Sequence, residues 1–285
     1  MLESSALPSH DLDERVREAL GFLRARSDVV PKVGLTLGSG LGAVVDAIER
    51  ATVIPTAEIP HWPRSTVEGH SGRFALGSWR GVPVAALAGR SHRYEGYTLD
   101  QVTFGVRVMH ALGARTLIFT NAVGAVHPEL RPRDLLLATS HINGIGKRGL
   151  LTPEEARPRA VYRRPAEPYD PGLRAALAQA AIRAGVALRR GVMMGGLGPS
   201  YETAAEVRMA AAMGADVACM STVHEATVGA ELGCACASIS CITNRATGLA
   251  GHPLTHKEVT EIADEAAGKI RVILEEYLTS IAAGA

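Results

Sequence analysis

No run in this sequence of 285 residues approaches the roughly 20 apolar residues that a membrane helix needs, so no membrane span is expected. Nor is there charge of one sign to spare. Lys and Arg number 30 against 29 Asp and Glu, a net charge of +1. Broad attraction to nucleic acid or acidic membranes is therefore not expected, and a small anion would have to be caught by a few placed groups. Cysteine is scarce. Cys219, Cys234, Cys236 and Cys241 all lie in apolar runs and read as reduced core residues. The Cys234/Cys236 spacing is not a zinc pattern, no Cys or His pair follows it, and no metal-ligand cluster appears elsewhere. The opening MLESSALPSHDLDERVREAL carries early acidic residues and no apolar segment, so it does not read as a secretory signal, and the expected compartment is the cytoplasm. No repeat, linker or domain boundary is visible, which predicts one domain over 1–285 with a helical N-terminal segment at 1–30.

What is present is an alternation of buried strands and helices. Asp11 to Arg24 reads as an amphipathic helix, VGLTLG (33–38) as a buried strand entering a turn, and about Leu41 to Glu49 as a helix. RFALGSWRGVPVAALAG suggests two strands around a turn at Arg80–Gly81. Gln101 to Leu112 is helical, and Thr116 to Ala125 and Asp134 to Ile142 are strands. Asn143 to Pro168 is rich in Arg, Pro and Gly without a period, a long loop. Helices at 171–184, 203–213, 223–232 and about 256–281 then alternate with the strands GVMMGG, DVACMS and ACASISCIT. The pattern predicts an α/β fold, a central mixed β-sheet flanked by helices, in which ligands gather at the carboxyl ends of strands.

The polar residues just after each strand are therefore the ones to weigh. Ser39 lies inside Gly38-Ser39-Gly40-Leu41-Gly42, either an anion cradle or a tight strand-to-helix turn; the glycine spacing is not that of a dinucleotide fingerprint. Arg90, His92 and Tyr94 follow VAALAG at alternate positions, and an extended chain would turn all three to one side. Arg offers a planar fork to an oxyanion. Asn121 follows LIFT with Ala122 behind it, and its amide suits a ligand or its own turn. Tyr201, Glu202 and Thr203 stand before a helix, Thr203 as an N-cap candidate and Glu202 as first-turn acid or hydrogen-bond acceptor for a base. Met220 and Ser221 end DVACMS, Ser221 reading equally as N-cap or anion ligand, and Asn244 ends ACASISCIT. Together these supply anion donors (Ser39, Arg90, His92, Ser221) and groups suited to reading a purine (Glu202, Asn244).

In order along the chain, LGSGLG (37–42), GHSGRFALG (69–77), GRSHRYEGY (89–97), TNAVGAVHPELRPRDLLLATSHIN (120–143), GPSYETAAEVRM (198–209), MSTVHE (220–225), ITN (242–244) and LTHKEV (254–259) resemble the trimeric purine nucleoside phosphorylases. The resemblance implies a phosphate site of Ser39, Arg90, His92, the backbone N–H of Ala122 and Ser221, with His70 nearby. It implies a ribose site of Tyr94, Met220 and His256, with Tyr201 packing near base and sugar, and a purine site of Glu202 and Asn244. Asn121 joins the substrate-binding set, and Asn244, Glu202 and His92 carry the chemistry. It further implies a homotrimer, no metal or organic cofactor, and reversible phosphorolysis of a purine nucleoside by inorganic phosphate. Methylthioadenosine phosphorylases of the same family carry Asp and Thr where this chain has Asn244 and Ser221, so 6-oxopurine (deoxy)ribonucleosides such as inosine and guanosine are the expected substrates. The products would be free base and (deoxy)ribose 1-phosphate. The alternatives are a phosphorylase of 6-aminopurine or 5′-modified nucleosides, a nucleoside-binding homologue without catalysis, and a hydrolase using water.

The resemblance fails at 144–168, where GIGKRGLLTPEEARPRAVYRRPAEP replaces the family's pattern. The loop aromatic that reaches a neighbouring subunit's sugar pocket in the family aligns with Pro158 here, and Tyr162 is the only aromatic inside the loop. An altered loop would suit a modified nucleoside. His224 stands where the family has Pro, and Ser91 where it has a bulky residue.

Overall fold

Alternation within the strands decides the layering. In the computed structural model, which describes residues 9–38, 40–67, 72–146, 168–249 and 256–283 (backbone only at 9–11, 43 and 256–261), strand β1 (Val33–Leu37) turns Val33, Leu35 and Leu37 to one apolar layer. Strand β5 (Thr116–Ala125) sends Leu117 and Phe119 to one face and Ile118 to the other. One layer is covered by helices α1 (Ser9–Arg24), α3 (Phe104–Leu112) and α6 (Thr222–Glu231), through Leu23, Met109 and Val223. The other is covered by α4 (Pro171–Arg183) and α7 (His256–Ala282), through Leu177, Ile270 and Leu274. Burial of an apolar stripe on each helix against a two-faced sheet is what makes this a single α/β domain.

The remaining strands are β2 (Glu49–Pro55), β3 (Arg73–Trp79), β4 (Val82–Ala88), β6 (Leu135–Asn143), β7 (Leu188–Gly195), β8 (Val217–Cys219) and β9 (Ala235–Arg245). Two short helices complete the list among the described residues, α2 (Leu99–Val102) and α5 (Ala204–Ala212). The order is β2-β3-β4-β1-β5-β8-β7-β6-β9, and β9 also pairs with β5. That extra pairing closes β5, β8, β7, β6 and β9 on themselves, while β1, β4, β3 and β2 extend as an open wing. Strand directions are mixed: β1–β5 and β5–β9 are parallel, β3–β4 and β6–β9 antiparallel.

The expected hairpin turn sits at Arg80–Gly81, with φ of 51° and 77° at the two positions, the pair of positive values that a two-residue turn between right-twisted strands demands. The helix expected at about 41–49 is not one. Only a 3₁₀ turn at Gly42–Ala47 forms, and the chain then enters β2. β2 is an edge strand in which only Ile54 is buried, so its own apolar pattern is weak and pairing with β3 decides it. The helix expected at 101–112 starts earlier, at Leu99 behind a Thr98–Gln101 capping box, and breaks at Thr103. Of the 143–168 loop, residues 147–167, with Pro158 and Tyr162, lie outside the described residues. All four cysteines are buried free thiols. Among the described residues no helix is long and apolar enough to cross a membrane.

Candidate active site

A cavity of about 280 Å³ opens where β4, β5, β8 and β9 end and the segment after β7 crosses over them. Ten of the residues singled out from sequence line it: Arg90, His92, Tyr94, Asn121, Ala122, Tyr201, Glu202, Met220, Ser221 and Asn244. They come from five separate stretches of chain. Ser39 and His70 lie outside the described residues, as does the side chain of His256.

At one end of the cavity sits Arg90, only 6% exposed. Its Nε donates to Glu225 Oε1 at 3.1 Å and its Nη1 to the Thr120 carbonyl at 2.9 Å. Gly38 packs so closely that a Cβ there would lie 3.0 Å from Arg90 Nη1 and 2.8 Å from the Thr120 carbonyl oxygen. The glycine before Ser39 is thus required first by the β5 backbone it packs against and then by the arginine. Burial pushes the Glu225 carboxyl upward, with the Arg90 guanidinium pulling the other way.

His92 and Tyr94 do not share an extended face. The chain turns at Arg93–Glu95, and the two rings stack at 4.7 Å with 16° between planes. Both still reach the cavity. Glu95 Oε1 accepts from the His92 backbone N–H at 2.6 Å and lies 3.1 Å from His92 Nδ1. With a carboxylate on Nδ1, that nitrogen carries the proton, which fixes the tautomer and the orientation of the ring. Glu95 Oε2 accepts from Thr66 N and Oγ1 at 2.6 and 2.9 Å. Burial alone would raise the Glu95 carboxyl, but these hydrogen bonds outweigh it and hold the pKa below the ordinary range. Tyr94 is pushed up to about 12, first by burial and then by Glu95, so its phenol keeps its proton.

Ser221 occupies the N-cap position of α6 but makes no capping bond; its Oγ lies 3.3 Å from Thr222 Oγ1, and it lines the cavity. Thr203, by contrast, does cap α5, in a reciprocal box with Glu206. Glu206 therefore supplies the first-turn acid, and Glu202 is left to the cavity. Gly198 makes room between Met220 and Tyr94: a Cβ there would fall 2.5 Å from Met220 Sδ and 2.9 Å from Tyr94 Cδ1.

At the far end Asn244 is held by its neighbours. Its Oδ1 accepts from Thr243 Oγ1 at 2.8 Å and its Nδ2 donates to the Arg245 carbonyl at 3.1 Å. The β5–β9 register slips here, Val123 facing Ile242 and Gly124 facing Asn244, so Thr243 is a bulge residue. Bulges re-aim side chains, and this one sets the amide beside Gly124, whose Cβ, if present, would lie 3.1 Å from Nδ2. Asn121, expected just after its strand, lies within β5, 2% exposed, donating Nδ2 to Met193 Sδ at 3.5 Å.

Glu225, Glu95, Thr243 and Gly124 did not stand out in the sequence. Glu225 pairs with a residue 135 positions away, which no local pattern announces. The Thr243 bulge exists only in the pairing with β5. Glu95 alone left a trace, three residues after His92 in a capping-box spacing.

One end of the cavity thus gathers a fixed guanidinium, an imidazole and a hydroxyl, as an oxyanion requires. The other presents an amide with one free N–H and one free lone pair, with a carboxylate nearby, the complement of a heterocycle with donors and acceptors on its edge. A cavity with donors suited to an anion at one end and an amide and a carboxylate at the other has the chemistry of a group-transfer enzyme. Residues 32–279 match the Phosphorylase superfamily, and the chain belongs to it. The chain is 43% identical over 250 residues to "Purine nucleoside phosphorylase 1" of Geobacillus stearothermophilus, covering 88% of this chain and 91% of that protein. It is 42% identical over 263 residues to the Bacillus subtilis (strain 168) protein of the same name, covering 92% and 97%. The crystal structure of schistosoma purine nucleoside phosphorylase in complex with hypoxanthine superposes with a TM-score of 0.86 at 30% identity, over 94% of this chain and 97% of that one. Within the superfamily the chain is a pentosyltransferase of the purine nucleoside phosphorylase kind.

Proposed function

We propose that the enzyme catalyses reversible phosphorolysis of 6-oxopurine ribonucleosides and deoxyribonucleosides, inosine and guanosine among them, to free base and (deoxy)ribose 1-phosphate. The observation that carries the base preference is the tethered amide of Asn244. With Oδ1 taking the Thr243 hydroxyl and Nδ2 giving one proton to the Arg245 carbonyl, one lone pair and one N–H remain. That pair meets an N7–H and an O6, the edge a 6-oxopurine presents as it departs. An aspartate in its place would offer acceptors only, which suits a 6-amino group.

In this reading Ser39, His70, Arg90, His92, the Ala122 N–H and Ser221 hold phosphate; Tyr94, Met220 and His256 hold the sugar. Tyr201 packs beside base and sugar, Asn121 lies under the substrate, and Glu202 accepts the purine N1–H. A phosphate oxygen forms a bond to C1′ while the C1′–N9 bond breaks; the electron pair of that bond leaves with the purine, and the proton that hydrogen phosphate gives up on becoming an ester is taken up by the departing base at N7 through solvent. Asn244 stabilises the negative charge that develops on the base, through preorganised electrostatics rather than covalent chemistry. Phosphate is itself the nucleophile, so no metal or organic cofactor is required. We assign a homotrimer in the cytoplasm, a setting in which the buried free thiols suit reduced cysteine.

Incubating the protein with inosine or guanosine, with and without phosphate, tests the reading. Free base and ribose 1-phosphate should appear only when phosphate is present. Base release without phosphate would mark a hydrolase, and faster turnover of adenosine or methylthioadenosine than of inosine would overturn the base assignment.

A further inference from the structure

We propose that Glu225 is a positioning residue for phosphate: from the side of Arg90 away from the main cavity it fixes the plane of the guanidinium, so that the fork is already set when the anion arrives. The inference rests on the assignment of Arg90 to phosphate and deepens it.

The geometry is that of an anchor. Glu225 lies in the first turn of α6, four residues after Ser221, so one short stretch supplies both a cavity hydroxyl and the support of the cavity cation. The Arg90–Glu225 contact is sealed, with side-chain exposures of 3% and 5%. Among the described residues, Arg90 Nε is held by Glu225 and Nη1 by the Thr120 carbonyl. Bonds from different nitrogens of a planar group fix its plane. Glu225 Oε2 is buried with no hydrogen-bond partner among the described residues. Glu225 also lines, with Ser91, Ser65 and Gln101, a second cavity of about 20 Å³ behind Arg90, room for a single water. A carboxylate taken out of bulk water is costly even when paired. Its presence is accounted for by what it does to Arg90.

The test compares Glu225→Gln and Glu225→Ala with the wild type in steady-state phosphorolysis, varying phosphate and nucleoside in turn. Glu225→Ala should raise the KM for phosphate about tenfold or more, the scale of a hydrogen bond to a charged group. Its KM for nucleoside and its kcat at saturating phosphate should stay within about twofold, because only anion binding is touched. Glu225→Gln keeps an oxygen for Arg90 Nε and should recover part of that loss. If Ala does not fold, the Gln variant still decides: its phosphate KM must rise while its nucleoside KM holds. Equal rises in both KM values, or no change in the phosphate KM of a folded variant, would overturn the inference. A wild type that ignores phosphate would instead sink the functional reading beneath it.

Discussion

At one end of the cavity Arg90 is tied to a buried carboxylate and a strand carbonyl, and His92 to a carboxylate that is itself held by two groups of Thr66. At the other end Tyr201 is 42% exposed, and Glu202 projects from the segment after β7. Among the described residues, Asn244 is the one fastened there, by its own chain neighbours. The contrast follows from the ligands we assign. A small multiply charged anion is heavily hydrated, and a site that replaces its water must be fully formed beforehand. A flat heterocycle brings its own apolar area and needs only a few fixed polar points. The anion end should therefore fail abruptly when cut, and the base end should change its preference instead.

The largest effect expected is from Arg90→Ala. Phosphorolysis should fall on the order of 10²–10³-fold, the loss typical of a removed charge-stabilising donor. The protein should also lose about 3–5 kcal/mol of stability, because Glu225 is left as an uncompensated buried charge. Kinetics and denaturant unfolding check both. Lost activity with unchanged stability would mean that the ion pair is not what holds this end together.

Asn244→Asp is the corresponding cut at the base end. The ratio of kcat/KM for inosine over adenosine should shift toward adenosine by about 10²-fold, as a donor facing O6 becomes an acceptor facing an amino group. The KM for phosphate should hold. A uniform loss on both nucleosides would show that the amide positions rather than discriminates.

His224 sharpens the comparison through pH. It lies on α6 beside Glu225, 3% exposed, and burial first and Arg93 second hold its pKa down to about 4 against 6.5. Folded, it is neutral; unfolded, it takes up a proton below 6.5. The unfolded chain thus binds more protons between these values, so stability is fully present above pH 6.5 and is lost as pH falls toward 4. Between pH 7 and 4 the wild type should lose on the order of 2 kcal/mol more than His224→Leu. Parallel pH–stability curves for the two would refute it.

Much of this site was legible because strand ends advertise themselves: a buried run, a glycine, then polar residues. Arg90 falls on that rule behind Gly89; Ser221 follows the short strand β8 without a glycine, and Asn244 sits in the last residues of β9 itself. The limits of the rule are physical. The 3₁₀ turn at 42–47 has the apolar content of a helix without its length, and β2 is a strand by virtue of its partner. Ser221 and Thr203 are alike in sequence, each a hydroxyl before a helix, yet only Thr203 caps, because its backbone is extended (ψ 160°) whereas that of Ser221 is not (ψ −68°). The Arg90–Glu225 pair and the Thr243 bulge are tertiary facts, set by strands and helices that meet only on folding.

The smallest effect expected tests that bulge. Gly124→Ala adds one methyl group at a position whose backbone is not in the left-handed region, so no conformational strain is introduced. Its Cβ would lie 3.1 Å from Asn244 Nδ2, and the next nearest atoms, of Ala246, are at 3.8 and 3.9 Å. The amide must give by a few tenths of an ångström, and its bonds to Thr243 and Arg245 resist. Misplacement on that scale should lower kcat/KM for inosine about tenfold, with the phosphate KM and the unfolding midpoint nearly unchanged. If Thr243→Val is added, the amide is released from Oγ1 and can step away from the methyl group. The double variant should then lose less activity than the product of the two single losses, a coupling that two independent contacts would not give.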